Sequence, residues 1–543
     1  MWTSVTAYGS AGRHGGRRVP SPPIDICHTR AIKARVIDPD QPWSRNQMAQ
    51  WRRDPGNTTE TRRHSTAWEP CMTAGSDVAQ RSSDGPGRII TDWNPEDPAY
   101  WAHSGHRVAR RNLIISIPAL LLAFAVWVLF SAVSINLPRI GFNFSTDQLF
   151  WLVALPSLSG ATLRIFYSFV IPIVGGRRWT ALSTASLLLP TVWLGFAVQN
   201  PSTPFWVFVA IAILCGFGGA NFSSSMSNIS FFYPKQRQGM ALGLNAGLGN
   251  VGVSVSQLVV PLVITVAAFG ALGGAPQPAA DGGAPLYMQN AGWIWVPAIA
   301  LLAVAAWFGM NDLTSARSSF AEQALIFKRK HNWLMCWLYI GTFGSYIGFS
   351  AGFPLLVKSQ FPDINPMTYA FIGPLLGALM RSVGGSLADR WGGARLTFWV
   401  FALMIAAVFG VLHFLPTHGQ GGNFFGFLAA FMALFILSGI GNGTTFRMIP
   451  VIFRTLHERL SSKADAAGKA AAAHQASIES AAVVGFSGAI GAYGGFFIPK
   501  SYGSSITLTG GPALALYGFI LFYVTCLAVT WWWYYRRGAE APC

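Results

Sequence analysis

The 543 residues are 52% hydrophobic, 14% aromatic and only 11% charged, with a formal net charge of +17. A soluble chain of this length carries more charge and less apolar surface, so the composition excludes a soluble globular protein and marks an all-α polytopic membrane protein. The six cysteines, at 27, 71, 215, 336, 526 and 543, show neither CxxC nor metal-ligand spacing, and no disulfide framework, metal site or cofactor is expected.

Residues 1–105 are rich in Arg, Pro, Ser and Gly and hold no apolar run able to form a signal-peptide core or a folded core. The expectation is a disordered extension, or one lying upstream of a true start at Met48 or Met72. Its 13 Lys and Arg are offset by 11 Asp and Glu, so the basic character belongs to the membrane part. Charges as interleaved as those around Arg52, Arg53, Arg62 and Arg63 form a solvated tail rather than a nucleic-acid arm.

Apolar windows near twenty residues then predict twelve transmembrane helices, at about 113–134, 149–173, 181–199, 205–229, 240–268, 293–309, 334–356, 368–388, 396–415, 425–448, 475–498 and 513–534. Alternate connections collect the cations, from Arg107, Arg110 and Arg111 through Arg177 and Arg178 to Arg536 and Arg537; the other side has only Arg139, Lys358 and Lys500. Nineteen against three predicts both termini in the cytoplasm of a multi-pass cell-membrane protein. The polar stretch 310–333 divides the spans into bundles of six, 106–309 and 334–537, leaving a tail at 538–543.

In chain order, span two opens with a Ser145-x-x-Gln148 capping box, which gives Asp147 a helix-start role. It then carries Gly160-Ala-Thr-Leu-Arg164, echoed in span eight by Gly377-Ala-Leu-Met-Arg381. A cation that never deprotonates is costly at membrane depth, so each arginine is expected to face a watery cavity and an anion. Each is followed by a Gly-Gly pair, Gly175-Gly176 and Gly392-Gly393, and then by Arg178 or Arg395. Spans four and ten also echo each other, Gly216-Phe-Gly-Gly-Ala-Asn-Phe222 against Gly439-Ile-Gly-Asn-Gly-Thr-Thr445. Span five places Gly243, Gly247 and Asn250 on one stripe and Asn245, Gly249 and Gly252 on another. Span eleven has a similar density of Gly485, Gly488, Gly491, Gly494 and Gly495. Such stripes permit close helix packing, and beside a cavity they also let two bundles rock. Elsewhere, Ser223 to Ser225 fit polar packing, Glu479 is placed to meet a loop cation, Arg447 to snorkel, and His413 to sit at an interface.

A duplicated six-helix bundle with its site where the halves meet is the architecture of the major facilitator superfamily, and Gly385-Ser-Leu-Ala-Asp389-Arg390-Trp-Gly-Gly-Ala-Arg395 resembles that superfamily's loop motif. The first half departs from it, with Pro172 where the acid would align. Within the superfamily the chain resembles the nitrate/nitrite porter (NarK-like) family. The likeness runs through Trp93-Asn-Pro-Glu-Asp97, Phe144-Ser-Thr-Asp-Gln148, Gly160 to Arg164, Ala220-Asn-Phe222-Ser-Ser-Ser-Met226, Phe231-Phe-Tyr-Pro234, the two glycine motifs and Phe497-Ile-Pro-Lys500. The resemblance implies that nitrate and nitrite bind between Arg164 and Arg381, walled by Phe124, Phe222, Tyr339 and Phe343 together with Asn250. A flat anion with three acceptor oxygens suits guanidinium forks at its edge and rings over its faces.

No titratable Asp, Glu or His falls at mid-membrane, as a proton-coupled carrier would require. The expectation is therefore nitrate/nitrite exchange by alternating access, by a monomer in a lipid bilayer. Proton-coupled nitrate symport, and a carrier or sensor for another small anion, are the alternatives. No nucleophile elbow, phosphate loop or His/Cys set supports an enzyme.

Overall fold

A backbone in hydrocarbon must close its hydrogen bonds within its own segment, so each apolar run becomes a helix. The computed structural model describes residues 88–280, 282–314, 325–416, 421–462 and 465–543. Among them, twelve helices are long and apolar enough to cross a membrane. They are α1 (Pro98–Asn136), α2 (Thr146–Tyr167), α3 (Gly176–Ala197), α4 (Phe205–Phe232), α5 (Lys235–Val263), α6 (Asn290–Gly309), α7 (Lys330–Gln360), α8 (Pro366–Trp391), α9 (Gly393–Phe414), α10 (Phe424–Leu460), α11 (Ala466–Thr509) and α12 (Ala513–Tyr535). These are the twelve expected spans in the expected order. Several run longer than their apolar windows, because the helix continues through less apolar residues, as α11 does from Ala466 through Lys469 and Gln475.

The two halves are built alike, and small residues explain why. In the first, Gly160 of α2 lies against Gly216 and Gly219 of α4, where an added methyl would come within 3.0 Å of the Gly216 carbonyl. In the second, Gly377 of α8 and Gly439 of α10 make the same backbone contact. The glycine that begins each arginine motif is thus the one that brings its helix against the fourth helix of its half. Both α2 and α8 lead into a left-handed glycine, Gly175 at φ 94° and Gly392 at φ 87°, a conformation that side chains with a Cβ avoid.

The loops that follow differ between halves. In the first, Asp312, just beyond α6, accepts from the Arg177 backbone at 2.8 Å and from Arg177 Nε at 3.1 Å, with Arg178 at 3.8 Å. In the second, Asp389 pairs with Arg447 at 2.5 Å, and the Ala394 amide donates to the Cys543 carbonyl at 3.0 Å. The acid missing at Pro172 is supplied from the end of α6. Arg447 is therefore an ion-pair partner as well as a snorkelling side chain.

Residues 88–105, expected to belong to the disordered extension, are instead structured. Strand β1 (Ile89–Ile90) pairs in parallel with β2 (Asp312–Leu313). Trp93 is buried edge-on against Tyr100 and Phe232, and its Nε1 donates to the Phe231 carbonyl at 2.9 Å. Asp97 caps the start of α1. A few aromatics sheltered at the α4/α5 corner are too short a signal for periodicity to register. Residues 1–87, with the proposed alternative starts, and 315–324 of the 310–333 linker lie outside the described residues.

The cation-bearing helix ends gather on one side, the basic face. There Arg329 grips the fully buried Glu479 at 2.8 and 2.9 Å, with His457 at 3.3 Å, and Lys330 reaches Glu540 at 2.5 Å. Lys358, Arg139 and Lys500 lie on the opposite face.

Candidate functional site

Arg164 and Arg381 converge. Both guanidinium carbons lie over the Phe222 ring, at 4.9 and 5.9 Å from its centroid. Arg164 is wholly buried; its Nε donates to the Gly219 carbonyl and its Nη1 to the Gly488 carbonyl, both at 2.7 Å. Trp127 at 4.9 Å and Phe343 at 5.2 Å complete an aromatic collar around it. Arg381 is 7% exposed, has one long hydrogen bond to the Tyr339 hydroxyl at 3.5 Å, and sits 5.4 Å from the Phe446 ring centroid. Arg164 Nη2 and Arg381 Nη1 have no hydrogen-bond partner, and among the described residues no carboxylate pairs with either arginine.

The other expected site residues assemble around this pair. Tyr339 stacks on Phe343 at 5.4 Å, and Phe343 on Phe222 at 6.4 Å, each tilted by 25°. A widened π-turn in α7, Ile340–Gly344, carries Phe343, the kind of irregularity that recurs at functional positions. Asn250 is fully buried with both side-chain polar atoms unpartnered among the described residues, and its carbonyl accepts from the hydroxyl of Tyr346, whose ring stacks on Phe343 at 6.4 Å. Phe124 meets Phe222 and Trp127 edge-on, at 6.1 and 5.3 Å, and so backs the wall behind Phe222. Trp127, Phe446, Tyr346 and the two carbonyls were not singled out from the sequence. Rings are too common in these spans to stand out, and a carbonyl ligand has no residue signature.

What each glycine faces separates their roles. Gly249 and Gly252 pack on Leu120 and on the Leu121 carbonyl of α1 within the same half. Gly243 faces open space, and Gly247 approaches Ser382 of α8, 3.7 Å from an added methyl. In α11, a methyl on Gly491 would come within 2.7 Å of Tyr339, one on Gly494 would meet the Gly344 backbone, and one on Gly495 would meet Ser157 of the first half. Gly488 supplies its carbonyl to Arg164, and a methyl there would lie 3.7 Å from Phe222.

The seam between halves is unequal along its length. Toward the basic face a methyl added to Gly239 or Gly243 would meet nothing within 4 Å among the described residues. Toward the opposite face Lys500 pairs with Asp147 and lies 4.8 Å from the Trp151 ring centroid; Trp151 meets Phe496 at 5.8 Å, and Phe150 meets Tyr502 at 6.3 Å. Asp147 thus holds the halves together beside the observed Ser145–Gln148 capping box. The site is therefore closed toward the opposite face. Of the weaker candidates, Ser225 bonds Ser116 and Asn245 at 2.9 and 2.8 Å, as polar packing requires, and His413 meets Phe414 edge-on.

Comparison with known proteins agrees with this architecture. The Major Facilitator Superfamily profile matches residues 115–486. The chain is 56% identical to the nitrate/nitrite transporter NarU of Escherichia coli, covering 83% of this chain and 96% of that protein. It is 41% identical to the probable nitrate/nitrite antiporter NarK2 of Thermus thermophilus, covering 84% and 99%, and 27% identical to the nitrite extrusion protein of Bacillus subtilis, covering 79% and 96%. Among solved structures, a bacterial homologue of the human lysosomal transporter Spinster, inward-facing and unoccupied, superposes with a TM-score of 0.53 at 14% identity, covering 77% of this chain and 96% of that one; this likeness concerns the fold alone.

Proposed function

Because the chain belongs to the nitrate/nitrite porters of the major facilitator superfamily, we propose that it carries nitrate and nitrite across the cell membrane by exchange, holding the anion between Arg164 and Arg381. The observation that carries this reading is the pair of buried guanidiniums, each with one unpartnered terminal nitrogen and neither with an acid. Buried charges without partners are strongly unfavourable. A planar monoanion would accept from Arg164 Nη2, Arg381 Nη1 and Asn250 Nδ2, with the Phe222, Phe343 and Tyr339 rings beside it.

The same charges supply the coupling. At 4.9 and 5.9 Å from one ring centroid, the two guanidiniums are within about 11 Å of each other, and at an effective dielectric of about 20 they repel by at least about 1.5 kcal/mol. Drawing the halves together around an empty site works against that repulsion; a bound anion removes it, so loaded carriers reorient and empty ones lag. A single chain supplies every group of this site, which supports a monomer as the working unit. The basic face is cytoplasmic by its cation excess, so the seam that Lys500 and Asp147 close faces away from the cytoplasm.

Proteoliposome counterflow tests the reading. Labelled nitrate should enter when nitrate or nitrite is inside and stop when the interior holds neither. Uptake into anion-free vesicles driven by a proton gradient would replace exchange with symport. Equal counterflow with phosphate or sulfate would overturn the substrate assignment.

A further inference from the structure

In α5, Asn250, Ser254 and Gln257 are spaced four and three apart and so share one helix face. All three are buried, at 0%, 4% and 0% exposure. That face turns toward α7 of the other half. The Tyr346 hydroxyl donates to the Asn250 carbonyl at 3.5 Å, and the Gln257 amide donates to the Ser350 carbonyl at 2.6 Å and to Ser131 Oγ of α1 at 3.0 Å. The contact is nonetheless unsatisfied: among the described residues Asn250 Oδ1 and Nδ2, Ser254 Oγ and Gln257 Oε1 have no hydrogen-bond partner, nor has Ser134 Oγ, one turn beyond Ser131.

Each polar atom buried without a partner costs roughly 1–3 kcal/mol. A permanent helix contact at membrane depth is made more cheaply with small or apolar side chains, as Gly249 and Gly252 show on the other face of the same helix. A polar row is favourable only if its atoms find partners in another state of the molecule. The row starts at the arginine site, and at a rise of about 1.5 Å per residue Gln257 lies about 10 Å further along α5, toward the face that is packed shut.

We propose that Asn250, Ser254 and Gln257 line the anion's route between the arginine site and the opposite face. The route is sealed in this state and opens when α5 and α7 part. On opening, Gln257 Nε2 gives up the Ser350 carbonyl and becomes a donor to a nitrate oxygen; the Ser254 hydroxyl is the next donor inward, and Asn250 Nδ2 hands the anion to the guanidiniums. Gln257 is thus a latch when the seam is closed and an anion ligand when it is open. This assignment rests on the nitrate reading above.

The test uses the full chain in oriented proteoliposomes. Failure of the wild type to exchange nitrate would overturn the nitrate reading itself. With wild-type exchange in hand, Ser254→Cys should react with an anionic methanethiosulfonate added on the opposite face, read as labelled protein, at least tenfold faster than wild type during turnover and more slowly in excess nitrate. Gln257→Leu should lose at least tenfold in exchange rate while nitrate binding from the basic face, read by tryptophan fluorescence, stays within twofold. The route is excluded if Ser254→Cys is no more reactive than wild type during turnover, or if both Gln257→Leu and Ser254→Val exchange nitrate at the wild-type rate.

Discussion

Arg164 and Arg381 occupy the same place in two copies of one bundle, yet their surroundings are unequal. Arg164 donates two short bonds to backbone carbonyls, one from each half, and is collared by three rings. Arg381 has one 3.5 Å bond to a tyrosine and two more distant rings. One arginine is an anchor whose position is set by the backbone; the other is an arm able to follow the anion. Duplication supplied two equal charges, and the packing around them made the roles different. A carrier needs that difference, because a site gripping its anion equally from both halves would resist the motion that releases it.

The arginines themselves break the comparison most severely. Arg164→Lys and Arg381→Lys should each reduce nitrate exchange at least a hundredfold, since an ammonium keeps the charge but loses the planar fork. They should part in stability. Arg164→Lys abandons the Gly219 and Gly488 carbonyls, costs stability of about 1–3 kcal/mol per orphaned acceptor, and should lower the melting temperature of the purified protein. Arg381→Lys loses only the long Tyr339 contact and should melt near wild type. Equal losses of stability would remove the distinction between anchor and arm.

The loops after the arginine helices extend the contrast. Asp312 and Arg177 are buried, with side chains 10% and 6% exposed, whereas Asp389 and Arg447 are half exposed. Asp312→Asn should therefore destabilise by about 3 kcal/mol, because it leaves a buried cation uncompensated, and Asp389→Asn by less than about 1 kcal/mol. Chemical denaturation in detergent compares the two. The glycine motifs should separate in kind. Gly252→Ala pushes a methyl into the Leu121 carbonyl of the same half and should impair folding. Gly491→Ala displaces the Tyr339 ring and should weaken nitrate affinity roughly tenfold while the protein still folds, the order of cost of a ring forced off its rotamer.

Much of this was legible in the sequence because it is written locally. The twelve spans, the paired arginines and the glycine repeats all need only a window of about twenty residues, and Asn245 and Asn250 stood out as amides at membrane depth. Asp312 was invisible because its partner Arg177 is distant in sequence and no motif joins them. Trp127 and Phe446 were hidden among many rings, and the Gly219 and Gly488 carbonyls belong to residues whose type says nothing of their ligand role. Helical spacing separates the two stripes of α5, but only their neighbours show that Gly249 and Gly252 pack within a half while Gly247 approaches Ser382 of the other half.

The smallest expected effect tests the arm most directly. Tyr339→Phe removes the one hydroxyl that bonds Arg381 and leaves the stacked ring in place. A hydrogen bond at 3.5 Å to a charged donor is weak, so its loss should change nitrate affinity by only about two- to fivefold, or up to about 1 kcal/mol. The direction is informative. If the hydroxyl positions Arg381 for the anion, affinity falls. If it competes with the anion for the guanidinium, affinity rises and release slows. The arrangement seen here, with Nη2 on Tyr339 and Nη1 unpartnered, has the hydroxyl occupying one arm of the fork and aiming the other. A fall in affinity at unchanged stability is therefore expected, and titration of nitrate by isothermal calorimetry would register either sign.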